Sequence, residues 1–181
     1  MINLLQSLFV EFYCLPFKEI LILLFIASCL FLGADRFFHR YTCWKGFLLL
    51  VLLLWIAIIT YATVFGRSTP THNAISLIPF HSYREVQNGG NPEILRSNFM
   101  NVILFYPSGL LTASLLPKKW PWWFRIILIV LLFAGLSVAI EYFQYSYGMG
   151  RAEIDDVIHN SLGALIGASV SLIPYCFSTH K

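Results

Sequence analysis

Between Ser137 and Asn160 the chain reads SVAIEYFQYSYGMGRAEIDDVIHN and carries Glu141, Arg151, Glu153, Asp155 and Asp156, five of only twenty-one charged residues. Three kinds of chemistry are open to such a set. Glu141 has the right group for a general acid or base. Asp155 and Asp156, alone or with Glu141, offer hard oxygen ligands for a divalent cation. Carboxylates can also orient arginines, here Arg67 and Arg151, on a polar or anionic ligand, with the amides of Asn101, Gln144 and Asn160 supplying hydrogen bonds. Glu141 and Gln144 are three residues apart and share a helical face, with Ser137 one turn deeper.

Simpler roles compete with these. Asp155 or Asp156 can cap a helix that begins beside them, where a carboxylate satisfies free amides and the helix dipole. Glu141 can form a structural ion pair with Arg151 or Arg67. Gly163 and Gly167, four apart, suit close packing of a neighbouring helix. His72, His81 and His159 show no paired metal-ligand spacing, so no metal site or other cofactor is assigned. There is no P-loop, no GxSxG elbow and no full GxGxxG, and Gly148-Met149-Gly150 reads as a turn.

The surroundings of these groups decide how unusual they are. The chain has 181 residues, 58% of them hydrophobic and 12% charged, with a mean hydropathy of +0.72. Soluble domains carry about 25% charged residues, so the composition is that of a protein built for lipid. Ionisable groups at membrane depth cost about 2.5–3.5 kcal/mol each on insertion scales and call for a function or a committed partner. Nucleic acid is not an expected partner; membrane lipids are.

Apolar runs predict an all-α, polytopic helical bundle with about five transmembrane helices, near Phe17–Gly33, Gly46–Phe65, Asn98–Leu116, Trp123–Tyr145 and Asp156–Phe177. Each is roughly the 20 residues that a 30 Å hydrocarbon core requires. Residues 2–14 read as a possible N-terminal interfacial helix or as an extension of the first span. Ile26-Ala27-Ser28-Cys29 imitates a lipoprotein cleavage box, but the apolar run continues beyond it, and an uncleaved span is expected. Residues 1–45 form an N-terminal part and 46–177 the main membrane domain. Cys14, Cys29, Cys43 and Cys176 suggest no disulfide framework.

The short loops 34–45 and 117–123, with Arg125 beside them, hold Arg36, Arg40, Lys45, Lys118 and Lys119, whereas the short loop 146–155 holds only Arg151. The positive-inside rule then puts the N-terminus outside and the C-terminus inside the membrane. Ile75–Phe80, within the long polar segment 66–97, is too apolar for a free loop and is expected to dip into the interface or line a cavity. Pro107 in span three should kink that helix and leave a carbonyl about four residues earlier without its donor, as a packing kink or as an opening of the cavity. Alternation brings the end of span two, the start of span three, the end of span four and the start of span five to one side. Arg67, Asn98, Asn101, Glu141, Gln144, Asp155, Asp156 and Asn160 occupy those four ends, so a shared polar pocket on the outer side is expected.

Taken in order, these ends resemble the VanZ-like family of small bacterial membrane proteins. The resemblance rests on Gly66-Arg67, Leu77-Ile78-Pro79-Phe80, the run Asn101 to Gly109, Glu141-x-x-Gln144, Gly150-Arg151, Ile154-Asp155-Asp156-Val157, Asn160 and Gly163, and spans roughly residues 60–170. Ser76 and Glu153 depart from the usual pattern. The family is named for a protein associated with resistance to teicoplanin, a glycopeptide that binds cell-wall precursors on the outer membrane surface. The resemblance therefore implies a role in the envelope, linked to glycopeptide resistance, with a lipid-linked precursor or the glycopeptide among the partners. Two functions stay open at this point. One is a binding site for a lipid or lipid-linked head group; the other is an intramembrane enzyme with Glu141 as acid or base and Asp155 and Asp156 holding a metal. A transporter fits less well, because no inverted repeat is found.

Overall fold

A computed structural model describes residues 15–65, 75–148 and 151–176. The amphipathic segment 2–14, Cys14, Arg67, His72 and the end of the turn at Met149-Gly150 lie outside the described residues. The long helices are α1 (Phe17–Phe38), α2 (Thr42–Thr60), α4 (Glu93–Leu115), α5 (Trp122–Ser146) and α6 (Ile154–Cys176), with a short α3 (His81–Gln87) between α2 and α4. The architecture is a helical bundle. Pro16, Pro92 and Pro121 stand immediately before α1, α4 and α5, where a missing N–H costs nothing. Gly148 closes α5 with φ of 66°, the left-handed step that a glycine takes without a Cβ penalty.

Among the described residues three helices are long and apolar enough to cross a membrane: Phe17–Phe38, Trp122–Ser146, and α2 with the π-helical turn that follows it, Thr42–Val64. Their outward faces present Leu21, Phe25, Leu30, Leu50, Leu53, Leu131 and Leu132, apolar surface with no aqueous role. α4 and α6, at 23 residues each, have the length to span but are interrupted by polar residues, because they form the centre of the bundle.

The centre is a close seam between α4 and α6. A Cβ at Gly163 would sit against the Val102 carbonyl, one at Gly167 against the Tyr106 carbonyl, and one at Gly109 against the Ala164 carbonyl. Backbone therefore meets backbone along the seam, in the manner of small-residue helix pairs in lipid. At its ends Asn101 bonds to Asp156 over 2.8 Å and Ser114 to Ser171 over 3.0 Å. The bonds at the two ends of the seam rise together along both helices, so α4 and α6 run parallel, and α5 packs against both in the opposite sense. Phe105 and Phe133 meet edge to face across α4 and α5, with ring centres 6.2 Å apart.

Two features modify the sequence reading. α4 continues through Pro107 as one helix; the carbonyl stripped by the proline is that of Ile103, and the Trp55 indole donates to its neighbour, Leu104, over 2.9 Å. Arg125, counted with the positive charge of the loop 117–123, is buried and donates to the Ala113 carbonyl. The last carbonyls of a helix lack intrahelical donors and attract a cation, so the end of α4 holds this guanidinium inside.

The seam makes a direct forecast. Gly163→Val and Gly109→Val force the helices apart and should each cost about 1–3 kcal/mol or more, seen as a lower thermal midpoint of the detergent-purified protein. Gly135→Ala, where a Cβ meets nothing within 4 Å, should leave the midpoint unchanged or raise it.

Candidate functional site

The parallel run of α4 and α6, with α5 antiparallel, gathers the starts of α4 and α6 and the ends of α2 and α5 at one end of the bundle. Asp155, 2% exposed, lies in the first turn of α6. One of its carboxylate oxygens accepts from the Phe80 amide at 2.5 Å; the other accepts from the Ser82 amide at 2.9 Å and the Ser82 hydroxyl at 2.5 Å. Asn98 donates to the same hydroxyl over 2.8 Å. The aspartate is thus a cap, but for the start of α3 rather than for α6. Phe80, at the N-cap position of α3, supplies no side-chain oxygen and takes a left-handed φ of 59°. Asp155 supplies the missing acceptor from another helix.

His159, one turn further along α6, is also buried. Its Nδ1 lies 2.6 Å from the Asp155 carbonyl, which can only accept, so Nδ1 carries the hydrogen. Nε2 lies 2.9 Å from the Tyr83 hydroxyl, and the two rings stack with centres 5.8 Å apart. Between them, Asp155 and His159 fasten α3 to α6.

Asp156, half-buried, receives the Asn101 amide. Glu141, 6% exposed, accepts the main-chain N–H of Glu153 over 2.9 Å. This holds a two-residue parallel pair, β1 (Ile75–Ser76) with β2 (Ala152–Glu153), against the end of α5. Arg151 forms its ion pair with Glu153 at 3.6 Å, so the reading that joined Arg151 to Glu141 gives way. A main-chain donor reaches the Glu141 carboxylate, while the exposed Arg151 finds the carboxylate two residues away in an extended segment. Gln144 donates to the Thr63 carbonyl over 2.9 Å inside the π-helical turn Tyr61–Phe65, and Asn160 donates to Ser137 over 2.8 Å. The structure brings Asn101, Glu141, Gln144, Asp155, Asp156 and Asn160 to this one end, with Arg151 at its exposed edge.

As a metal set these groups fit poorly. Asp155 has both oxygens occupied by three donors, Asp156 receives the Asn101 amide, and Glu141 receives the Glu153 main-chain N–H. Among the described residues no group of three or more His, Cys, Asp or Glu is disposed to hold a metal ion. What the arrangement offers is an array of buried amides and carboxylates at one end of the bundle, with the exposed Arg151 nearby.

Ser82, Tyr83 and the role of His159 were not legible in the sequence. One signal was present: a short helix starting after Phe80 has no capping side chain of its own and needs an acceptor from elsewhere. Leu77, Ile78 and Phe80, all exposed, form an apolar ridge over this end, and the β1–β2 pair was likewise not anticipated.

The VanZ/LLP1 family model matches residues 47–175. This chain belongs to that family. No curated protein matches it, and no solved structure does. With its apolar helices, the VanZ-like chain is a membrane protein.

Two outcomes test the site. Asp155→Asn swaps an acceptor for a donor facing the Ser82 amide and hydroxyl. It should cost about 2 kcal/mol or more and selectively raise hydrogen exchange over residues 80–87, with α2 unaffected. Burial pushes the Glu153 carboxyl above its ordinary 4.5, Asp156 adds to the rise, and Arg151 opposes it. A raised folded-state value favours the fold below the unfolded value, and that contribution disappears as pH climbs through the raised one. Glu153→Gln should therefore gain stability relative to the parent as pH rises above 4.5, read as the difference in thermal midpoint.

Proposed function

We propose that this VanZ-like protein receives the head group of a lipid or lipid-linked envelope precursor at the polar end of its bundle, and thereby lowers glycopeptide access to that precursor. The observation that carries the reading is the concentration of buried Glu141, Gln144, Asp155 and Asn160 at one end of an otherwise apolar bundle. Polar groups in lipid surroundings are costly unless they serve a partner. In this reading α4 and α6 complete five crossings of the bacterial cytoplasmic membrane, with the N-terminus outside and the C-terminus inside. The charge bias of the short loops supports that orientation, and it turns the polar end outward, to the face where glycopeptides meet their targets. Asn101, Gln144 and Asn160 supply hydrogen bonds to the head group, Arg151 meets it at the rim, and Glu141, Asp155 and Asp156 hold the frame.

The test is teicoplanin susceptibility of a sensitive bacterial host expressing the chain, beside Glu141→Gln and Arg151→Ala at matched membrane levels. The parent should raise the inhibitory concentration, and both variants should return it to that of the host with empty vector. A parent that changes nothing removes the resistance part of the reading.

A further inference from the structure

α1 runs alongside α4 in the same direction, because Phe17 meets Phe99 with ring centres 4.6 Å apart and the Ser28 and Tyr106 hydroxyls lie 2.6 Å apart. The end of α1 and the start of α2 therefore lie opposite the polar end, with the end of α4 and the start of α5. His39, Arg40 and Tyr41 join the two helices there. Rings tie the hairpin together: Phe38 and Trp44 have centres 5.4 Å apart, and Trp44 and Phe47 likewise 5.4 Å. Beyond Ser28 the only buried residue of α1 is Asp35. The tip instead exposes Phe37, Tyr41 and Phe47.

Arg36, Arg40 and Lys45 are exposed on the same hairpin, and Lys118 and Lys119 stand at this end too. Among the described residues Asp35 is the only carboxylate here. Every other described Asp and Glu falls in the first turn of α1, α4 or α6, in α3, near the end of α5 or in β2. Asp35 is drawn inward: it is 7% exposed, and its Oδ1 accepts the Trp44 indole N–H over 2.9 Å. The acid is thus folded into the hairpin while the three cations stay at its surface. Guanidinium forks match phosphate oxygens, and a polybasic segment beside a membrane span is drawn to anionic lipid by about fivefold in affinity per Lys or Arg. Phe37 and Phe47 narrow the partner further. Exposed rings beside cations need an apolar layer directly under the anions, which a lipid surface has and a nucleic acid lacks.

We propose that the α1–α2 hairpin is a site for anionic phospholipid, in which Arg36, Arg40 and Lys45 take the phosphates and Phe37, Tyr41 and Phe47 sit at the top of the acyl layer. The site lies at the other end of the bundle from Glu141 and Asp155 and does not rest on the head-group reading above. The family match begins at residue 47, so α1 and all three cations fall outside it. The hairpin is an addition to the matched domain, with a lipid contact of its own.

The experiment is lipid binding to the full-length protein in a neutral detergent, followed by native mass spectrometry, with phosphatidylglycerol against phosphatidylcholine of the same acyl chains. The unaltered protein should bind phosphatidylglycerol saturably and about tenfold or more tightly than phosphatidylcholine. Arg36→Gln/Arg40→Gln should remove that preference, and Arg36→Lys/Arg40→Lys should keep it. Lys18→Gln/Arg84→Gln takes the same charge from exposed positions at the polar end and should leave the preference intact. Should the first variant fail to fold, the single changes Arg36→Gln and Arg40→Gln decide, each lowering phosphatidylglycerol affinity about fivefold. Equal affinity of the unaltered protein for the two lipids overturns the proposal, and so does a preference that survives the loss of both arginines. A preference lost equally in the two charge-matched glutamine variants also overturns it, because net charge and not the hairpin would then select the lipid.

Discussion

The approach of α4 to α6 is the constraint on which the rest depends. Gly109, Gly163 and Gly167 face backbone carbonyls across the seam, and no other residue type leaves room for that contact. In lipid there is little hydrophobic drive between helices, so close packing and interhelical hydrogen bonds hold such a pair. Because the two helices run parallel, the first turn of α6 lies beside the third turn of α4. Asp156 therefore meets Asn101, and Asp155 comes within reach of the chain that leads into α4. A wider seam would separate the polar end into unrelated helix termini.

From that seam the polar end is assembled by carboxylates that bind backbone more than they bind cations. Asp155 captures the Phe80 and Ser82 amides, and Glu141 captures the Glu153 amide. Each thereby anchors a connecting segment that would otherwise expose main-chain groups near the membrane. Irregular backbone is tolerated at such depth only where protein or water satisfies it. The acids of the motif thus have a structural duty that is independent of any ligand. The amides of Gln144 and Asn160 are different, because each binds another part of the bundle, Thr63 and Ser137 respectively.

Much of this was legible before any coordinates. Apolar runs placed the five long helices to within a few residues, since hydrocarbon thickness and the cost of polar backbone leave few alternatives. Gly163 and Gly167 announced close packing by their spacing, and the ordered motifs from Leu77 to Gly167 pointed to the VanZ-like family. Arg125 misled because a guanidinium beside Lys118 and Lys119 looks interfacial in one dimension. Only the return of α5 along α4 shows the Ala113 carbonyl waiting for it. Arg151 misled in the same way, since its proximity to Glu141 in the chain did not decide which carboxylate it would meet.

The sequence alone determined that this is a helical membrane protein with its polar residues at helix ends, because composition and periodicity answer directly to the solvent around the chain. Tertiary structure alone decided which donor each carboxylate took. Asp155 caps a helix more than seventy residues earlier in the chain, a pairing that local spacing cannot encode. It also decided which polar atoms were left over. An unpaired oxygen on Gln144 is a property of three packed helices and one turn, and no single segment contains it.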